Sequence, residues 1–470
     1  MQRNLLATAA FFAIALTLAG NLAAADRADR PNIVYMMLDE IGYFELSSMG
    51  HKVLKTPNLD RLAADGMRFT QCLAGAPVCG PTRCVLLTGK HTGHCQVRTN
   101  GGGTPIAADE FTLGEMFKAA GYATGGFGKW GIGETGTTGV PELHGFDVFY
   151  GYYHQVHAHS YYPEYLVRSG KREMLEGNTG DPHTGKTFSQ YLIHNEAMQF
   201  IRRNKDRPFF CYLPYTLPHG LWGMPEDDPS WLMYKDMKLG GKGQRRDSDP
   251  NMYAAMVHLA DRQMGQILNL LKELGIDDNT IVVFSGDNGG QAYFRDEAHP
   301  RGVFEPNSTV FRGGKGSLLE GGLRVPYFVR WPGKIKAGAV TDHLCYFADV
   351  MPTLAEAVGA KTPAGLDGIS FLPTLLGRGT QQQHDFLYWE YVGQVAVRKG
   401  NFKAFKSRAQ PWQLFNVDTD SLEENDLASQ HPEILEELTD YAESASTPAK
   451  VGGWTDHSQR FIAPKRKPKK

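Results

Sequence analysis

The chain has almost no excess charge. Its 49 Lys and Arg stand against 51 Asp and Glu, a formal net charge of -2 over 470 residues. So balanced a composition gives no argument for nucleic acid or an anionic membrane as a partner. Beyond the N-terminus no apolar run reaches the length of a membrane span. No internal repeat is present, which excludes solenoid and propeller architectures. Cysteine is scarce, with six in the chain, too few for a disulfide scaffold, and no Cys/His spacing has the form of a zinc site. What remains is an ordinary globular composition, 41% hydrophobic and 21% charged. The length suits one large α/β domain with a smaller companion.

The N-terminus has its own character. Arg3 precedes an apolar run from Leu5 to Leu18, and Ala23-Ala24-Ala25 offers a small-residue cleavage site before Asp26. This reads as a secretory signal over 1–25 and predicts an exported protein, periplasmic or secreted, with no stable membrane anchor. In such a compartment disulfides persist. Cys72, Cys84 and Cys95 are free to pair by sequence alone, whereas Cys211 and Cys345 lie in apolar runs and read as core thiols.

Apolar runs alternate with helical patterns, the signature of a mainly parallel sheet. Strands are predicted at Asn32–Leu38, Tyr122–Phe127, Pro208–Leu213 and Thr280–Ser285. Helices are predicted at Thr112–Ala120 and through Met252, Met256, Leu259, Ile267 and Leu271, with Gly275 as a stop. Near residue 378 the composition turns to Gly and Gln. Beyond it lie short strands at Phe386–Tyr391, Gln394–Arg398, Phe402–Phe405 and Trp412–Val417, then a helix at Pro432–Ala445. The expected organisation is therefore a catalytic α/β domain over 26–378, an α+β subdomain over 379–457 with a small antiparallel sheet, and a basic, disordered tail over 458–470.

Polar residues follow each predicted strand: Asp39-Glu40, Gly128-Lys129, Pro218-His219 and Asp287-Asn288. Sites in open α/β sheets form outside the carboxyl ends of strands, so these groups are expected to converge. Asp39, Glu40, Asp287 and Asn288 are oxygen donors, which suits a hard cation, Ca2+ or Mg2+. Cys79-Gly80-Pro81-Thr82-Arg83, followed by Thr88-Gly89-Lys90, places a Cys where a loop enters a helix, with an Arg one turn on. Free N–H groups, the helix dipole and Arg83 make an anion site around Cys79. The stretch from Tyr150 to Tyr162 is rich in Tyr and His. Gln155, His157, His159 and Tyr161 are its candidate substrate contacts, able to stack on a sugar or bond its hydroxyls.

The C-x-P-x-R motif resembles the signature of type I sulfatases, and the likeness extends over most of the chain. Gly128-Lys129-Trp130, Pro218-His219, the D-N-G run at Asp287 and the stretch from Lys315 to Pro326 match further landmarks of that family. The branch it leans towards is that of arylsulfatase A and N-acetylgalactosamine-6-sulfatase. The resemblance implies an alkaline-phosphatase-like α/β sandwich. It implies a sulfatase for sulfate monoesters, and a Cys79 oxidised to formylglycine by a maturation enzyme. The formylglycine hydrate attacks sulfur with one hydroxyl and expels sulfate with the other. Arg83 and Lys129 would hold it and the sulfate, while His219 and Lys315 would contact the ester, one or the other protonating the leaving oxygen. Asp39, Glu40, Asp287, Asn288 and the modified Cys79 would hold the metal. The substrate implied is a sulfated small molecule or carbohydrate, of galactose or N-acetylgalactosamine type. Two departures stand out: Glu40 where the family has Asp, and Gly131 where it commonly has His. The two departures leave open an inactive sugar-sulfate binder, and the resemblance itself also leaves open a formylglycine-dependent phosphonate or phosphodiester hydrolase of the same superfamily.

Overall fold

The computed structural model describes residues 30–101, 104–239, 249–291 and 311–462. The leader expected at 1–25 and the basic end at 463–470 lie outside the described residues. Among the described residues, no helix is long and apolar enough to cross a membrane.

Among the described residues, ten strands form the main sheet. From edge to edge they are Ala339–Thr341, Met67–Phe69, Tyr327–Arg330, Thr280–Gly286, Asn32–Leu38, Phe209–Pro214, Ala123–Lys129, Val148–Tyr152, Tyr165–Arg168 and Lys171–Met174. The five from Thr280–Gly286 to Val148–Tyr152 run parallel. Asn32–Leu38 is central and buried along its whole length, as a strand covered on both faces must be. Its residues alternate between two cores: Ile33, Tyr35 and Met37 face one, Val34, Met36 and Leu38 the other. The helix Pro250–Glu273, capped by the Asp249 side chain, covers the second face; Cys79–Thr88 lies on the first. The result is an α/β sandwich. The edge strand Lys171–Met174 is charged and largely exposed, which discourages further pairing.

The small antiparallel sheet has the order Leu387–Tyr391, Gln394–Lys399, Phe402–Ser407, Gln413–Asn416. One face packs on the helix Pro432–Ser444 through Leu438. The other, with Leu387, Trp389, Ala396 and Phe415, joins the main core, where Trp389 Nε1 donates to the Ala74 carbonyl at 2.9 Å. Residues 458–462, expected within a disordered tail, are in fact anchored. Phe461 stacks against His154 and His157, and its N–H donates to Glu134. Stacking of a half-buried aromatic ring outweighs the polar composition there. All six cysteines are buried free thiols.

Register explains the convergence at the sheet's edge. Leu38 lies opposite Gly286, so Asp39 and Asp287 leave adjacent strands at the same level. The Asp287 N–H donates to Leu38 O at 2.8 Å, and the Asp39 N–H to Leu217 O at 2.9 Å, which ties in the loop bearing His219. Lys129 is the last residue of its own strand.

Candidate active site

Cys79 opens its helix directly after extended Val78. Thr82 Oγ1 accepts the Ala76 N–H at 2.7 Å, and Asn100 Oδ1 accepts the Gly80 N–H at 2.9 Å, so the first turn is pinned. Arg83, four residues on, shares the helix face with Cys79. Its guanidinium reaches Asp39 at 3.2 Å, Asp287 at 3.0 Å and the Lys129 carbonyl. Lys129 Nζ donates to Asp39 at 2.6 Å, and Cys79 Sγ donates to the other oxygen of Asp39 at 3.1 Å. The Glu40 N–H donates to Asp287 at 3.0 Å. The Glu40 carboxylate meets His219 Nε2 at 2.8 Å, Lys315 Nζ and the Gln291 amide. Lys315 Nζ lies 3.3 Å from His219 Nε2. The structure thus unites every sequence-predicted catalytic residue around Asp39 and Glu40.

Three carboxylates and three cations are largely or wholly buried in one cluster. Desolvating so many charges costs more than hydrophobic packing of the same volume would, so the cluster is better read as serving chemistry than stability. Glu40 also adopts a left-handed backbone, φ 69°, costly for a residue with a Cβ.

The field within the cluster assigns protons. Burial, reinforced by the Asp39 carboxylate, pushes the Cys79 thiol far above its usual range. Unmodified, it is a protonated and poor nucleophile. Burial alone would raise Asp39, but Lys129, His219, Arg83 and Lys315 together hold it well below the usual carboxylate range. Burial and the charge of Asp39 push Asp287 up to about 7, against Arg83 and Lys129; a divalent cation would reverse that. Burial lowers His219 to about 4, with Asp39 opposing, and lowers Lys315 to about 8. At neutral pH Lys315 is therefore the partner that carries a proton to give.

The donor set fits a hard cation. Asn288 Oδ1 is buried and has no hydrogen-bond partner among the described residues, beside Asp287 in sequence. Asp39, Glu40, Cys79 and His219 each bring a donor atom within 4.8 Å of one another. Glu40 differs from the other expected ligands, because both of its oxygens already engage His219, Lys315 and Gln291. It links the cation side to the proton-donor side.

The candidate substrate contacts divide. His159 stacks on His219, ring centroids 4.2 Å apart, and joins the cluster. His157 does not: its ring packs against Tyr152, Tyr165 and Phe461. Tyr161 is a support, its hydroxyl donating to the Thr216 and His219 carbonyls at 2.9 and 3.0 Å. Gln155 is buried, with neither amide atom partnered among the described residues, and its Oε1 lies 2.8 Å from where a Cβ on Gly131 would stand. The amide fills the space left by the missing side chain, next to Arg83. Sequence reasoning passed over Asn100 and Gln291; both sit in loops with no spacing signal, and only the fold brings them to Cys79 and Glu40.

The model of the family described as Sulfatase matches residues 31–360, and that of the N-sulphoglucosamine sulphohydrolase C-terminal region matches 314–447. Arylsulfatase A of Bos taurus is 31% identical, the match covering 92% of this chain and 85% of the relative. N-acetylgalactosamine-6-sulfatase of Canis lupus familiaris is 30% identical, covering 86% and 77%. Among solved structures, Ps i-CgsB in complex with k-i-k-neocarrahexaose superposes with a TM-score of 0.73 at 27% identity, covering 93% of this chain and 95% of that one. With the cluster around Cys79 in place and a family match over most of its length, this chain belongs to the sulfatase family and is a sulfuric ester hydrolase.

Proposed function

We propose that the protein is an exported sulfatase that hydrolyses sulfate monoesters on carbohydrate, of galactose or N-acetylgalactosamine type, with Cys79 matured to formylglycine and a bound Ca2+ or Mg2+. The observation that carries this reading is the setting of Cys79. It is buried and protonated, 3.1 Å from Asp39, with Arg83 and Lys129 bound to the same carboxylate. That setting disfavours a thiolate and suits an oxygen nucleophile made from the side chain. Formylglycine hydrate supplies such a nucleophile, and a second hydroxyl that releases sulfate. Asp39, Asp287 and Asn288, with Glu40, would hold the cation, which supplies positive charge to the sulfate oxygens.

The chain's own residues do the rest. Arg83 and Lys129 hold Asp39 ionised and place fixed cations where sulfate charge develops. Lys315, adjacent to His219, donates a proton to the leaving sugar oxygen. Glu40 orients both through Oε1. Tyr161 fixes the backbone of the His219 loop. The carbohydrate assignment draws on the likeness to N-acetylgalactosamine-6-sulfatase and to the structure solved in complex with k-i-k-neocarrahexaose. Export draws on the N-terminal segment.

The test is a substrate panel on matured enzyme: 6-sulfated and 4-sulfated galactose and N-acetylgalactosamine, an aryl sulfate, and an aryl phosphate diester. Turnover of a sulfated sugar with higher kcat/KM than the diester is expected. A preference for the diester refutes the sulfatase reading of the site.

A further inference from the structure

A cleft of about 430 Å³ opens between the loop carrying Lys315 and two hairpin tips of the C-terminal sheet. Its size falls within the range of small-ligand sites. Gly316 lies on one side; Tyr391, Gln394, Arg408 and Gln410 line the rest.

The cleft is joined to the catalytic cluster through the backbone. Gln394 Nε2 donates to Gly316 O at 2.7 Å, and its Oε1 accepts the Leu318 N–H at 3.1 Å. The Gly316 N–H donates to the carbonyl of Pro77, two residues before Cys79. Burial raises the Tyr391 hydroxyl above its usual range.

Both hairpin tips are strained. Val392 has φ 43° and Arg408 φ 52°, a left-handed conformation that is costly for a β-branched residue and uncommon for any but glycine. The tips are locked together by the Arg408 N–H, which donates to Gly393 O at 2.5 Å. Strain of this kind persists where the surroundings over-determine it, and it gathers at binding sites. The Arg408 side chain is exposed and forms no ion pair among the described residues. Among the described residues no carboxylate lines the cleft. A planar guanidinium left free in this way matches a sulfate or carboxylate group.

We propose that this cleft is a second saccharide subsite, which takes the sugar next to the sulfated one and recognises an anionic group on it through Arg408. The proposal rests on the carbohydrate reading above. Tyr391 offers a ring to the sugar face, and Gln410 an amide to its hydroxyls. The enzyme then reads two units of a polyanionic glycan, one at the scissile ester and one beside it.

The test is the ratio of kcat/KM for a sulfated trisaccharide to kcat/KM for the monosaccharide bearing the same sulfate. It is measured in the wild type, Arg408→Gly and Arg408→Glu. Glycine accepts the local backbone, so Arg408→Gly removes the side chain without adding strain. The ratio is expected to fall about tenfold or more in Arg408→Gly and further in Arg408→Glu, as for the loss of a charge-assisted contact. Trisaccharides whose neighbouring unit is sulfated, carboxylated or neutral identify the anion, and the neutral one should be insensitive to Arg408. An unchanged ratio in both variants at wild-type melting temperature overturns the subsite alone. Equal loss for neutral and anionic neighbours also overturns it. Turnover of aryl sulfate with none of either saccharide overturns the carbohydrate reading and the subsite with it.

Discussion

Gly131→Ala probes how tightly the cluster is built. Gly131 sits at φ 83°, where alanine costs about 1–2 kcal/mol of backbone energy. An added Cβ lies 2.8 Å from Gln155 Oε1 and 3.3 Å from Arg83 Cδ. The Gln155 amide has no partner among the described residues and gives way. Arg83 cannot do so freely, because its guanidinium is tied to Asp39, Asp287 and the Lys129 carbonyl. It must shift by a few tenths of an ångström. Misplacement of about 1 Å costs about 100-fold in rate, so this shift should lower kcat by about tenfold. The melting temperature should fall by about 2–4 °C per kcal/mol lost. Turnover of an aryl sulfate and thermal melting read both effects. In Gly131→Ala with Gln155→Ala, the crowding of Arg83 and the backbone cost both remain, so kcat should stay near the single-variant value. Wild-type kcat and melting temperature in Gly131→Ala would refute the packing described here.

Chelation should abolish turnover, and either Ca2+ or Mg2+ should restore it; a metal-free preparation at full rate contradicts the donor set. Asn288→Ala, which deletes the orphaned amide oxygen, should raise the cation concentration needed for half-maximal activity, measured by titration. Tyr161→Phe removes a hydroxyl shared by two carbonyls, which should cost about 1–3 kcal/mol of stability and reduce kcat more than it changes KM. His194, far from the cluster in sequence, is lowered by burial to about 4 from 6.5. Below pH 6.5 the unfolded chain binds a proton there that the folded chain refuses, so stability falls as pH drops from about 6.5 to 4 and then levels. Denaturant midpoints should show a shallower fall over that window in His194→Gln; an unchanged slope sinks this assignment.

Local signals carried much of the structure. Continuous apolar runs such as Asn32–Leu38 are buried on both sides, so the strand and the acids after it were legible together. The helix over Pro250–Glu273 declared itself by period, and the C-terminal strands by short alternating runs between turns. Contacts made only by the fold were not legible. The neighbourhood of Gly131 and Gln155 depends on pairing of their strands, and the Glu40–His219–Lys315 contact joins three distant loops. His157 and His159 show the same limit at short range. They lie in a single 3-10 turn, where residues two apart point in different directions, so one ring meets His219 and the other packs against Phe461. The resemblance to sulfatases named Cys79, Arg83, Lys129, His219 and Lys315, and the structure clusters all five. It had no counterpart for the half-buried Phe461, whose ring contacts are to His154 and His157 of the Tyr150–Tyr162 segment.

The claim most exposed to a single measurement is that Cys79 reacts as an oxygen nucleophile. Protein exported from a host that has the maturation enzyme should be digested, and the peptide spanning Cys79 weighed intact. A mass about 18 Da below that of the thiol peptide, in proportion to specific activity across preparations, is the predicted result. A fully active preparation whose Cys79 peptide carries an unmodified thiol would contradict it.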